Sequence, residues 1–214
     1  MGRSAAGAQR PAAARVRPGP FGSSPPTIAE AVRHHGHVSG SLRSDPRRLR
    51  AARRAKFPVV SARRPRPGQH HPASAADVRS ALVRFGEAIY YGVESVELVP
   101  GPAPVKGLTL GLLVGPGRIV LYDQAPSPWR LGFALAPEQR AQLEHAGADF
   151  GEEGVVAWPG DSLRRFMLGY VLAHELGHHV LQHERRLRGE RSVRTRDHEA
   201  RAEAIAARLR SVLD

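Results

Sequence analysis

The chain has 214 residues, a formal net charge of +12 and no cysteine. Disulfides and thiolate metal sites are therefore excluded, and any bound metal must be held by histidine and carboxylate. No stretch approaches the roughly 18 apolar residues of a membrane span, and the Ala/Arg/Pro-rich start lacks the apolar core of a signal peptide, so a cytoplasmic location without a membrane partner is expected.

Charge divides the chain. Residues 1–72 hold 15 Lys and Arg against 2 acids, whereas residues 73–214 hold 17 against 18. With ten prolines, seven glycines and only Phe21 and Phe57 as aromatics, the basic part has too little apolar material to offset the entropy of ordering it. Residues 1–73 are expected to be a disordered basic tail, and 74–214 the folded domain. Within the tail, Ser44 to Lys56 reads as a short basic helix that can rest on nucleic acid or an acidic partner through phosphate contacts, or stay solvated as a linker. His34, His35, His37, His70 and His71 lie in the same region with no scaffold to fix them as ligands.

From Ala75 to Tyr91, Val78, Leu82, Phe85 and Ile89 share one helical stripe, and Gly92 ends it. Val93 to Val99 alternates as a strand. Leu108 to Val114 and Arg118 to Tyr122 are β-rich runs joined by Gly115-Pro116-Gly117, which predicts a hairpin. After a Pro-rich loop, Pro137 to His145 reads as a helix with proline in its first turn, and Gly154 to Trp158 as one more strand. Trp129 and Trp158 are read as core residues rather than as the walls of a specificity pocket.

Phe166 to Glu184, FMLGYVLAHELGHHVLQHE, is the stretch that carries chemistry. Leu163, Phe166, Met167, Tyr170, Val171, Val180 and Leu181 recur at helical spacing, with Asp161 or Ser162 as N-cap, so a buried amphipathic helix is predicted. His174 and His178 stand four apart and share its face, which lets two imidazoles converge on one tetrahedral cation. Glu175, about 100° round, falls outside that shell but near an open position. Such a carboxylate can take a proton from a water whose pKa Zn²⁺ brings down to roughly 7. His179 points away from the pair, and Tyr122 and His183 are the candidate donors to a developing oxyanion.

A third ligand is expected downstream. Ala202, Ile205, Ala206 and Leu209 form a small-residue face that allows two helices to approach closely. Glu199 and Glu203, four apart, share a face, so one can ligate while the other holds a ligand histidine by its second ring nitrogen. His198 competes with Glu199 because the helix phase is open.

Together, YVLAHELGHHVLQ and E-x-x-A-E-x-I-A-A-x-L resemble the ImmA/IrrE family of zinc metallo-endopeptidases, over about the last fifty residues. The resemblance implies His174, His178 and Glu199 as zinc ligands, Glu175 as catalytic base and Glu203 in support of a ligand. Glu203 stands where that family usually has Asp or Asn, and Ile205 where it usually has Phe. The resemblance also implies a thermolysin-like architecture in which a strand beside the motif helix binds extended substrate, with Arg118 to Tyr122 as the candidate. It makes Asp123 to Gly154 an insertion that covers or lines the cleft.

The expected fold is α+β: a small mixed or antiparallel sheet packed on the H-E-x-x-H helix and on a following ligand-bearing helix. The expected function is zinc-dependent endopeptidase action on a protein or peptide, with a DNA-bound, repressor-type regulator as the substrate the resemblance suggests. The alternative is a nucleic-acid-associated regulatory protein with a structural or inactive zinc site, bound through its Arg-rich residues 1–72.

Overall fold

The computed structural model describes residues 56–102, 109–115, 117–151, 154–187, 189 and 196–213. The disorder expected of residues 1–55, and nearly all of the basic helix expected from Ser44, fall outside the described residues. What is described is mixed α+β, as expected, and no described helix is long and apolar enough to cross a membrane.

The main sheet has four strands in the order β1 (Val59–Ala62), β2 (Ser95–Val99), β4 (Arg118–Tyr122), β3 (Gly111–Val114). The first three run parallel, and β3 returns antiparallel beside β4, so the predicted hairpin is present. Burial follows the pleat. In β2, Val96 and Leu98 turn inward. In β4, consecutive Ile119, Val120 and Leu121 are all buried, which is the signature of a strand covered on both faces.

β1 corrects the expected boundary at residue 74, because the sheet begins inside the stretch expected to be tail. Four residues between Pro58 and the Arg-rich run from Arg63 carry too little pattern to stand out from a basic, Pro-rich surround. Tertiary contacts hold the segment in place. Val60 is buried, and the chain beyond β1 is pinned by Asp123, whose side chain is fully buried. Asp123 accepts from the Arg66 backbone N–H at 2.7 Å, the Arg66 guanidinium at 2.8 Å and the Gly101 N–H at 2.7 Å. Burial alone would push this carboxyl up, but those donors outweigh it and hold it below the usual range.

Helix α1 (Ala75–Phe85) opens on a capping box. The Ser74 hydroxyl accepts from the Asp77 N–H, and the Asp77 carboxylate accepts from the Ser74 N–H. Val78, Ala81, Leu82 and Phe85 are its buried stripe. The expected single helix to Tyr91 is in fact broken. Gly86, at φ 87°, ends α1, and a separate turn of helix, α2 (Glu87–Tyr90), follows.

The segment from Asp123 onward carries a three-stranded antiparallel sheet, β5 (Trp129–Arg130), β7 (Val155–Ala157) and β6 (Asp149–Phe150), together with α3 (Pro137–His145). Trp129 and Trp158 are buried edge to face, and Trp158 stacks on Phe166, so both tryptophans are core. Phe166 ends the short helix α4 (Ser162–Phe166), which has Asp161 at its N-cap position with the carboxylate turned to Arg164 and Arg165 rather than to the backbone. The helix continues through a π-helical turn (Met167–Leu172) into α5 (Ala173–Leu187). Helix α6 (Arg196–Leu213) then packs back along α5.

Chains cut before residue 56 and before residue 74 therefore differ in stability. The shorter one loses the burial of Val60, roughly 1.5–3 kcal/mol, and leaves Asp123 buried without Arg66, roughly 1–3 kcal/mol. For a domain of this size we expect its melting midpoint to fall by about 10 °C, measured by thermal circular dichroism. Coincident melts would contradict the place given to β1.

Candidate metal centre

The helix that bears the motif is not the uniform α-helix predicted from the apolar spacing. Directly before His174 the Ala173 N–H reaches back five residues to the Leu168 carbonyl, which closes a π turn. Such turns are rare inside helices and concentrate near functional sites. The α-helical part restarts at Ala173, so His174 and His178 keep the four-residue spacing on one face.

Three side chains converge there. His174 Nε2 and His178 Nε2 lie 3.0 Å apart, and Glu199 Oε2 lies 3.6 Å from the first and 3.2 Å from the second. All three residues are buried, and one donor atom from each falls within 4.8 Å of the others. Two imidazole nitrogens and a carboxylate oxygen, gathered so closely away from water, form a set that can hold a metal ion. Burial alone would push the His174 imidazole down. The hydrogen bonds to Glu199 and Glu203, with the Glu175 and Glu203 charges, outweigh burial and raise it to about 9. The pocket thus favours positive charge.

Glu199 reaches the histidines because α6 comes unusually near α5. A Cβ on Gly177 would sit 2.5 Å from the Ala202 carbonyl oxygen, closer than any side chain allows. Ala202 and Ala206 are fully buried in the same contact, with Leu209 beside them and Ile205 half-buried, so the expected small-residue face is the packing face.

One turn on from Glu199, Glu203 Oε2 lies 3.3 Å from His174 Nδ1. Nδ1–H donating to that carboxylate leaves Nε2 to face the cluster. Arg210, two turns further along α6, donates to Glu203 Oε1 at 2.7 Å and lies over the Tyr170 ring at 4.3 Å. Burial pushes the Glu203 carboxyl up, but the His174 and Arg210 hydrogen bonds hold it below its ordinary value. Sequence reading missed Arg210. Its spacing of seven from Glu203, which returns a helical residue to the same face, was the available signal.

Glu175 is almost fully buried, and its Oε2 accepts the Leu113 N–H at 2.8 Å. That bond corrects the expectation for the substrate strand. Arg118 to Tyr122 is β4, flanked by β2 and β3, so its backbone groups are already paired; the edge strand beside α5 is β3. Order along the chain did not reveal this, because β2 pairs with β4 rather than with its sequence neighbour β3.

The remaining candidates separate cleanly. His198 lies face to face with His178, at 5.1 Å and 10°, and the cluster's third donor comes from Glu199. His179 and His183 pack toward Tyr91 and Gly92 instead. Burial drives His179 down to about 4, so its Nε2–H donates to the Tyr91 carbonyl from a neutral ring. Burial and the Glu175 charge raise the Tyr122 phenol. His70 and His71 lie outside the cluster, with His71 Nε2 at 2.8 Å from the Arg63 carbonyl.

No protein-family model matches this chain, and neither a curated protein nor a solved structure matches it.

The close helix contact makes Gly177→Ala diagnostic. Helix propensity alone would favour alanine by about 1 kcal/mol. The clash with Ala202 should reverse that and give a net loss of at least about 1 kcal/mol, together with about tenfold weaker divalent-metal binding. Urea melts and a chelator competition titration read the two effects. A variant more stable than wild type, with unchanged metal affinity, would remove the contact from the account.

Proposed function

We propose that the chain is a zinc-dependent endopeptidase of the ImmA/IrrE-like kind, with His174, His178 and Glu199 holding the metal. The observation that carries this reading is the buried convergence of those three donors beside a carboxylate, Glu175, that is tied to an edge strand. A histidine and carboxylate set without thiolate suits Zn²⁺, and three protein ligands are the number that catalytic zinc sites use. Bound there, zinc would supply a Lewis acid and lower the pKa of water.

The chain's own residues do the rest. Glu175 takes the proton from the attacking water and delivers it to the leaving amine as the peptide bond breaks. The Leu113 N–H fixes Glu175 between α5 and β3. An extended peptide can align along the outer edge of β3 by main-chain hydrogen bonds. Glu203, braced by Arg210, holds His174 in the tautomer that leaves Nε2 for the metal. A DNA-bound, repressor-type regulator is the substrate that the family resemblance suggests.

The charge split favours a second reading, in which the site is structural and the basic N-terminal residues bind nucleic acid. Duplex affinity that falls steeply with salt and vanishes on deleting residues 1–55, in a protein without hydrolytic activity, would support that reading over the first.

Zinc-loaded full-length protein and its Glu175→Gln variant should be compared against a peptide library. We expect cleavage by the wild type and a fall of about 10²–10⁴-fold in the variant, with zinc content unchanged. Equal rates, or no cleavage by a zinc-loaded wild type, would count against the endopeptidase reading.

A further inference from the structure

A cavity of about 680 Å³ lies between α1, the loop after α3, α4, the π-helical turn and the end of α6. None of the metal-cluster residues lines it. Its volume falls in the range of roughly 300–1,000 Å³ usual for small-molecule sites.

Its walls are of two kinds. Ala81, Leu168, Tyr170 and Leu213 supply an apolar surface, while Arg84, Arg164, Arg165 and Arg210 bring four guanidinium groups. Nearby carboxylates only partly offset them. Asp161 is shared between Arg164 and Arg165, Asp77 takes the other side of Arg164, and Glu203 takes Arg210. Arg84 has no ion-pair partner among the described residues. The cavity is too large for a simple ion and carries a surplus of the cation best shaped for carboxylate, sulfonate or phosphate.

We propose that this cavity is a ligand site, separate from the metal centre, for a small organic anion whose apolar body rests on Leu168, Tyr170 and Leu213 and whose acidic group is held by Arg84 and Arg165. The inference does not depend on the zinc reading. Arg210 nonetheless belongs to both sites, since it lines the cavity and holds Glu203.

Anilinonaphthalene sulfonate, an aromatic anion that fluoresces in apolar surroundings, is a suitable probe for the purified full-length chain. Its uncharged parent, phenylnaphthylamine, serves as control. Arg84, Arg165 and Ala207 are exposed, so substitutions there should leave the fold intact. We expect one saturable site per chain. The double variant Arg84→Ala/Arg165→Ala should weaken sulfonate binding about tenfold or more without affecting the neutral probe, and Ala207→Trp, which fills the cavity, should weaken both. Sulfonate affinity unchanged in both variants, or a neutral probe that binds wild type as tightly as the sulfonate, would overturn the proposal.

Discussion

Helices α5 and α6 come as close as they do because Gly177 offers no side chain where the Ala202 backbone passes. That contact sets where α6 places its carboxylates in the candidate metal centre. It brings Glu199 within hydrogen-bond range of His178, and it puts Glu203 one turn on, against the far nitrogen of His174. Pushed apart by the width of a methyl group, the helices would lengthen the 3.2 Å approach of Glu199 to His178 and the 3.3 Å approach of Glu203 to His174 beyond hydrogen-bond range.

The same contact has an electrostatic cost that the site must meet. Carboxylates drawn in beside two buried imidazoles make a pocket that favours positive charge, as the raised His174 shows. Arg210 meets part of this demand from outside, through Glu203, and a divalent cation would meet it from within. The sheet contributes at the other edge. Because β4 pairs on both sides, β3 is left as the edge strand, and its Leu113 N–H is free to hold Glu175.

Much of this was legible in the sequence because it is local. The four-residue spacings of His174 with His178 and of Glu199 with Glu203 hold on any α-helix, and Ala202 and Ala206 are visibly small, whereas the part Gly177 plays opposite them emerges only from the packing. The misses were backbone breaks within helices and long-range strand pairing. The break at Gly86 and the π turn before Ala173 are backbone events that apolar spacing does not register. β1 is four residues in a basic, Pro-rich stretch, and its place depends on pairing with Ser95–Val99 and on the Arg66–Asp123 contact, neither of which is encoded nearby. Strand order went astray for the same reason: a hairpin predicts which strands pair, not which one is left at the edge. Glu199 over His198 was a matter of helix phase, and only the packing of α6 on α5 fixes it.

The most direct test of the account is the zinc content of the full-length chain after exhaustive dialysis, for wild type, Glu199→Ala and His198→Ala. One zinc per chain in wild type, most of it lost in Glu199→Ala and most of it kept in His198→Ala, is the result predicted for a centre built on His174, His178 and Glu199. A wild type that retains no zinc, or a Glu199→Ala protein that retains as much as wild type, would contradict it.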